Sequence, residues 1–210
     1  MREGKIFTGI LLTALCISLS AAAGNGFKLV KKDEVIALYE RWISSGDDVP
    51  VREIQAVFYV RSDVASVIRL LQHAALGLEW NMNTNRYEVQ AGKDGSWITY
   101  IRYDLPWPMD DQDCCLGFRV QTVAAGRKTI ISFADNGGVG CPVEKGVSRI
   151  TGTRGQWLIE PTVAGDLKMI YTITSDRSST IPRWISDPLI HKNIFRTLTG
   201  FKQILESDKL

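Results

Sequence analysis

Apolar and polar positions alternate along the early part of the chain. Between Phe27 and Ile43, Val, Leu, Ile, Tyr and Trp are interleaved with charged residues, a pattern that predicts two strands with a turn near Asp33. The turn formers of residues 46–50 follow, and residues 53–61 again have strand character. The chain therefore begins, from about residue 27, with three strands joined by short turns.

The period then changes to that of a helix. Apolar residues recur at a spacing of about 3.6 at Val64, Val67, Ile68, Leu71 and Ala75. Ser62 is a suitable N-cap, because a serine hydroxyl can accept a bond from a free backbone N–H of the first turn. The pattern predicts one short amphipathic helix over residues 62–75.

Six further strands and a terminal helix follow. The strands are predicted at residues 85–91, 96–104, 114–124, 127–135, 147–161 and 166–175. Short turns between successive strands favour antiparallel pairing. The helix starts at Ile181 and Pro182, is kinked or restarted at Pro188, and has an apolar stripe made by Ile190, Ile194, Leu198, Phe201 and Leu205. A curved sheet folded around this helix would bury the stripe.

The first 23 residues have the features of an export signal. Arg2 and Lys5 precede an apolar run over residues 6–19, and small residues occupy positions 20–23. This order predicts a cleaved secretory signal, with an uncleaved anchor as the alternative. We therefore expect an exported protein, periplasmic or secreted, whose mature domain spans residues 24–210.

Charge and motif content argue against several function classes. The formal net charge is +2, far from the basic footprint of a nucleic-acid binder, so we expect no nucleic-acid partner. Asp110, Asp111 and Asp113 could offer oxygen ligands to Ca²⁺, but they lack the EF-hand spacing. No zinc-type spacing, G-x-S-x-G or P-loop pattern occurs, and we expect no metal and no cofactor.

Three cysteines remain after the predicted cleavage site. Export permits a disulfide, and adjacent Cys114 and Cys115 rarely bridge each other. One of the two is therefore expected to pair with Cys141, and the other to stay a buried thiol.

Four segments resemble a known family in its own order. They are "EWNMNT" (79–84), "LPWPMDDQD" (105–113), "GVSRITGTRGQWLIEP" (146–161) and "IPRWISD" (181–187). Together they resemble START lipid-transfer domains of the SRPBCC, or Bet v 1-like, helix-grip superfamily. Gln112 and Cys114 depart from the family, which often has Arg and an aromatic residue at these places.

The resemblance implies an α+β helix-grip fold. A curved antiparallel sheet would wrap around the long C-terminal helix, with a short helix after the third strand. The family binds lipids in an internal cavity, which implies sequestration or transfer of a lipid or other amphipathic small molecule and a transient contact with a membrane surface. The loop over residues 104–113 would lie at the cavity mouth as a lid carrying Trp107 and Met109, stiffened by Pro106 and Pro108.

Alternation within the strands suggests which side chains line the cavity. The predicted ligand-binding residues are Tyr100, Arg102, Leu116, Phe118, Val120, Ile190, Ile194 and Leu198. If Arg102 points inward, it would favour an anionic group; alternatively it reaches the rim or pairs with an internal acid.

Two other functions stay open at this point. An SRPBCC-type enzyme, cyclase-like or hydrolase-like, would need polar groups in the cavity, and Tyr100 with Glu160 or Glu88 is the pair that the sequence offers. An envelope interaction module would instead have a filled core and work through its surface.

Overall fold

The structure is a computed structural model of the 210-residue chain. It describes residues 26–44, 50–107, 110–123, 127–175, 183–207 and 209–210. The predicted signal peptide (1–23) and Met109 of the predicted lid lie outside the described residues, so both stay predictions.

Ten strands and three helices are present in the described part of the chain. The strands are β1 (Lys28–Lys32), β2 (Ile36–Ser44), β3 (Pro50–Val60), β4 (Thr84–Ala91), β5 (Trp97–Tyr103), β6 (Gln112–Val123), β7 (Lys128–Asp135), β8 (Ser148–Arg149), β9 (Arg154–Pro161) and β10 (Leu167–Thr174). The helices are α1 (Val64–Leu71), α2 (Ala74–Trp80) and α3 (Arg183–Leu205). None of these helices is long and apolar enough to cross a bilayer.

The strands form one curved sheet in the order β1-β2-β3-β10-β9-β7-β6-β5-β4. Every pair along this path is antiparallel, whereas the short β8 pairs in parallel with the start of β6. The sheet is not closed, because β1 and β4 each have one free edge in this order. The predicted antiparallel sheet with a C-terminal helix is therefore confirmed.

The predicted helix over residues 62–75 is in fact two helices. Its N-cap is Asp63, not Ser62, because the Asp63 carboxylate accepts the backbone N–H of Ser66 at 2.8 Å. The chain leaves the helix at Gln72, and His73 Nδ1 then caps α2 by accepting the N–H of Leu76 at 3.2 Å. The 3.6-residue period could not show this break, since both helices bury apolar residues.

The strand predicted over residues 147–161 is also interrupted. β8 ends at Arg149 and β9 begins at Arg154, while Gly152 between them has a φ of 63°. An extended strand cannot contain this backbone angle, and the Gly152 N–H donates instead to the Asp135 carboxylate. At the C-terminus, α3 is continuous through Pro188.

Aromatic rings join α3 to the inner face of the sheet. Phe201 of α3 is fully buried, 4.7 Å from the ring centroid of Trp157 on β9 and 5.0 Å from that of Trp80 on α2. The helix is therefore fixed over the sheet near its C-terminal end. The space between the sheet and the N-terminal half of α3 is where the candidate site lies.

Candidate functional site

A pocket of about 680 Å³ lies between the inner face of the sheet and α3. The pocket reaches one end of the sheet, where β3 and β6 begin and where β5 and β10 end. The residues from these strand ends that line it are Arg52, Gln112, Tyr103 and Ile173. Its volume falls within the range of about 300–1,000 Å³ that small-molecule sites occupy.

Aromatic side chains form much of the pocket wall. Phe118, Phe133, Tyr171 and Trp157 follow one another across β6, β7, β10 and β9, with successive ring centroids 5.4, 5.9 and 4.5 Å apart. Gly155 makes room for this row, because a Cβ there would lie 2.5 Å from Cζ of Phe133. The row offers a continuous apolar surface to a ligand.

A few neutral polar groups interrupt this wall. Tyr103 at the end of β5, Asn81 after α2 and Tyr171 on β10 all line the pocket. Cys114 Sγ lies 4.0 Å from the Tyr103 hydroxyl oxygen. Burial raises the pKa of Tyr103 and of Tyr171, and raises the pKa of the Cys114 thiol to about 12. These groups are therefore uncharged near neutral pH.

Charge enters the described pocket lining only at one end. Arg52 of β3 and Asp187 of α3 are its charged residues, and Arg52 Nη1 lies 2.8 Å from Asp187 Oδ1. Glu40 of β2 accompanies them, 3.9 Å from Arg52 and 3.0 Å from His191 Nε2. This group of charges also joins the start of α3 to the sheet.

Five of the predicted ligand-binding residues line the pocket. They are Leu116, Phe118, Ile190, Ile194 and Leu198. Val120 shares the face of Phe118 and packs against the core, but it lies beyond the lining. Contact of these side chains with a ligand stays a prediction.

Tyr100 and Arg102 require a correction, since neither lines the pocket. Opposite residues in an antiparallel pair point to the same face, and Tyr100 faces Cys115 while Arg102 faces Asp113. Phe118 faces Trp97, so the inward positions of β5 are the odd-numbered ones, which include Ile101 and Tyr103. Sequence alternation separates the residues of each strand into two faces. It does not show which face of β5 lies on the same side of the sheet as a given face of β6.

Tyr100 and Arg102 belong to a polar cluster on the outer face. The Tyr100 hydroxyl donates to Asp113 Oδ2 at 3.1 Å, and Arg149 donates to both Asp113 oxygens, with Nη2–Oδ2 at 2.9 Å. Burial, with the carboxylate of Asp113 alongside, raises the pKa of Tyr100 to about 12. Arg102 donates to Asp111 and to Glu144. Arg102 thus pairs with two acids on the outer face, and not with the internal acid that was one of the alternatives.

This cluster holds the segment of residues 136–150 against β6. Ser148 N donates to the Asp111 carbonyl at 2.9 Å and Ile150 N to the Asp113 carbonyl at 2.8 Å. Ile150 then reaches the pocket lining. Asp113 therefore attaches this segment to the start of β6, through its carboxylate to Arg149 and through its carbonyl to Ile150.

The acid–base pairs considered for an enzyme are not assembled in the pocket. Glu88 pairs with Arg86 at 2.6 Å, and Glu160 pairs with Lys128 at 2.6 Å. Neither glutamate lines the pocket, and Tyr100 lies on the outer face. The sequence misplaced these pairs for the same reason that it misplaced Tyr100. Strand register, and not the sequence of one strand, decides which face points into the pocket.

The cysteine prediction is confirmed and made specific. Cys115 forms a disulfide with Cys141, and Cys114 is a buried free thiol. Cys115 points outward with Tyr100, which lets it reach the 136–150 segment, whereas Cys114 points into the pocket. The side chains of the two adjacent cysteines therefore lie on opposite faces of β6.

The predicted lid is described only in part. Trp107 is 91% exposed and does not line the pocket, whereas Leu105 does. The pocket residues that sequence reasoning missed include Asn81, Tyr103 and Tyr171. Tyr103 lies on the face of β5 opposite to Tyr100 and Arg102, so alternation would have identified it if that face had been taken as the inward one. Asn81 belongs to the "EWNMNT" segment that carries the family resemblance.

Comparisons with known proteins agree with this architecture. No family model matches the chain. An uncharacterized protein of Pseudomonas aeruginosa, PA1579, is 25% identical over 205 residues, covering 94% of this chain and 98% of that protein.

Solved structures add the fold. A STAR-related lipid transfer protein of Xanthomonas axonopodis superposes with a TM-score of 0.76 at 21% identity, covering 87% of this chain and 100% of that one. Human StAR-related lipid transfer protein 5 superposes with a TM-score of 0.68 at 14% identity, covering 86% of each chain. The resemblance carried by the four sequence segments is thus confirmed at the level of architecture, and the chain has the START-domain fold.

Proposed function

We propose that the protein binds a lipid-like molecule in the pocket between the sheet and α3, and sequesters or transfers it without bond chemistry. The observation that carries this proposal is the pocket itself, about 680 Å³ in volume and walled by the aromatic row of Phe118, Phe133, Tyr171 and Trp157. Each methylene that a ligand buries there would contribute about 0.8 kcal/mol.

The structural neighbours support the same class of ligand. The Xanthomonas axonopodis and human structures with this fold are both named as lipid transfer proteins. Fold alone does not establish function, so the support lies in the agreement between this fold and an apolar pocket at its centre.

The proposal places this binding outside the cytoplasm. The Cys115–Cys141 disulfide supports an oxidising compartment, as the residue 1–23 signal would require. Exposed Trp107, two residues from the pocket residue Leu105, supports a transient contact with a membrane surface, because tryptophan favours the lipid–water interface.

Mass spectrometry of the purified protein tests the proposal. We expect native spectra to show an added mass that is removed by organic extraction and recovered as a lipid-like compound. The delipidated protein should regain an added mass after incubation with a lipid mixture. A protein that stays without ligand in both experiments would contradict the proposal.

Ile194→Trp should weaken binding by narrowing the pocket. Ile194 is partly buried on α3 and lines the pocket. Trp is larger by roughly two methylene groups, so a ligand that must give up that space loses about 1.6 kcal/mol, or about tenfold in affinity. Titration of the intrinsic tryptophan fluorescence with dodecanol measures the affinity.

Arg196→Trp is the matched control for this variant. Arg196 is exposed on the same helix, two residues further along, and is not part of the lining. The dodecanol affinity of this variant should equal that of the unchanged protein. Equal affinities for Ile194→Trp and Arg196→Trp would show that the ligand does not occupy this pocket.

A further inference from the structure

We propose that the free edge of the sheet at β1 binds an extended acidic segment of a partner protein, which adds to the sheet as a further strand. The surface, which we call the basic edge, consists of Lys28, Lys31 and Lys32 of β1 with Lys192 and Arg196 of α3. None of these residues lines the pocket, so the inference does not rest on lipid binding.

The β1 strand has a neighbour on one side only. It pairs with β2 and is the first strand in the sheet order, so its other backbone edge meets no strand in the described part of the chain. Four of its five residues are exposed. The N–H and C=O groups along such an edge can bond to an added strand, which is how several domains bind extended peptides.

A contact between β1 and α3 joins the cations of the two elements into one surface. Lys31 Nζ lies 4.1 Å from the centre of the Phe195 ring. Arg196 follows Phe195 directly and Lys192 precedes it by three residues, so both lie within one helical turn of this contact. Both side chains are exposed, as are the three lysines of β1.

The cations of the basic edge lack acidic partners in the described part of the protein. None of the five forms an ion pair with a described carboxylate. Lys28 is opposite Glu40 in the strand register, but that carboxylate lies 3.0 Å from His191 Nε2 and 3.9 Å from Arg52. The other two lysines of β1 are opposite apolar residues of β2. An acidic partner would therefore meet cations that are available to pair with it.

The edge at the other end of the sheet, on β4, has a different charge pattern. Arg86 bonds to Glu88 at 2.6 Å and to Glu144, and Gln90 donates to the Gly140 carbonyl at 2.8 Å. These side chains of β4 are therefore already paired within the protein. Charge complementarity thus favours β1 as the edge that an acidic strand would select.

A second copy of the chain is disfavoured as the occupant of this edge. Two β1 strands side by side would place lysines opposite lysines, and like charges directly opposite each other destabilise a strand pair. An acidic strand would instead form pairs of opposite charge. Leu29 lies among the lysines and is 55% exposed, so a segment in which acidic and apolar residues alternate fits this edge.

Peptide binding to the purified protein tests the inference. The probe is a fluorescein-labelled peptide of four glutamate–valine repeats, followed by fluorescence anisotropy at neutral pH. We expect saturable binding that weakens as salt is raised, because exposed charges are screened. A peptide of four lysine–valine repeats should not bind. If the acidic peptide does not bind at concentrations up to about 1 mM, the inference is wrong.

Backbone methylation separates strand addition from charge attraction alone. The acidic peptide with all its amide nitrogens methylated keeps its carboxylates but cannot donate hydrogen bonds to β1. We expect its affinity to be at least about tenfold lower, because several backbone bonds are lost. Equal affinities of the two peptides would overturn strand addition.

Charge reversal on β1 locates the binding. Lys28→Glu with Lys32→Glu should lower the affinity for the acidic peptide about tenfold, since favourable cross-strand pairs become unfavourable. Lys93→Glu with Lys145→Glu is the matched control, because both lysines are exposed and lie on other elements of the surface. Equal losses in the two double variants would contradict an assignment to β1.

Charge reversal on α3 tests the same surface without changing β1. Lys192→Glu with Arg196→Glu should lower the peptide affinity about threefold, because these cations lie beside the added strand and not within it. This variant keeps the inference testable if changes in β1 prevent folding. An affinity equal to that of the unchanged protein would remove α3 from the basic edge.

Vesicles of phosphatidylglycerol and phosphatidylcholine test the other anionic occupant, a membrane surface. We expect them not to displace the acidic peptide. Displacement, together with equal binding of the methylated peptide, would assign the basic edge to membrane contact and overturn the inference.

The pocket variant Ile194→Trp separates this inference from the proposed function. It should weaken dodecanol binding and leave the affinity for the acidic peptide unchanged, since Ile194 lines the pocket and is not part of the basic edge. Loss of peptide binding in this variant would place the peptide in the pocket and overturn the inference while the pocket remains a binding site.

Discussion

Asp113→Ala is expected to lower the free energy of unfolding by about 3–5 kcal/mol, because it removes one partner of a buried ion pair. The side chain of Asp113 is only 3% exposed, and both of its oxygens accept bonds from Arg149. Without the carboxylate, Arg149 keeps only the Pro142 carbonyl among these partners, and the buried Tyr100 hydroxyl loses its acceptor. Urea unfolding, read as midpoint and slope, measures the change.

An exposed ion pair serves as the control for Asp113. Glu79 pairs with Lys209, and their side chains are 47% and 54% exposed. Solvent screens such a pair, so Glu79→Ala should cost less than about 1 kcal/mol. The double variant Asp113→Ala with Arg149→Met should cost less than the sum of the two single variants. A loss below about 1 kcal/mol for Asp113→Ala would show that the cluster does not stabilise the fold.

Phe201→Ala is expected to destabilise the protein by about 3–5 kcal/mol, the range found for removing a buried aromatic ring. Phe201 is fully buried and contacts Trp157 on the sheet and Trp80 on α2. Removing the Phe201 ring leaves a cavity at the point where α3 packs against the sheet and α2. Thermal unfolding followed by circular dichroism measures the effect.

Benzene binding and a surface variant test whether the loss of stability comes from the cavity at Phe201. The apolar cavity left by Phe201→Ala should bind benzene, which would raise the melting temperature of the variant more than that of the unchanged protein. Leu78→Ala, a truncation at a side chain that is 44% exposed on α2, should change stability by only about 0.5 kcal/mol. Similar losses at Phe201 and Leu78 would contradict a rigid attachment of α3 through this ring.

Local pattern was sufficient for most of the elements. Alternating apolar residues predicted the strands, and the apolar stripe through Ile190, Ile194 and Leu198 predicted the face of α3 that lines the pocket. The errors occurred where a side chain or a backbone angle interrupts the pattern. Asp63 and His73 cap two helices instead of one, and the positive φ of Gly152 ends a strand.

The candidate site was predicted on β6 and α3 and missed on β5. Leu116 and Phe118 line the pocket, while Tyr100 and Arg102 lie on the outer face. A strand's sequence separates its residues into two faces, but only the register with its neighbour decides which face is inward. The same register sends Cys115 outward to Cys141 and leaves Cys114 in the pocket.

The sequence by itself determined the class of elements, their order and the pairing of one vicinal cysteine with Cys141, because these depend on local periodicity and on the scarcity of cysteine. Tertiary structure alone decided that Arg102 lies outside the pocket and that Asn81, Tyr103 and Tyr171 line it. These three residues are far apart in the chain and lie on different elements. Their presence in one pocket lining depends on sheet curvature and on strand register, which arise from packing between segments and not from the pattern within any one segment.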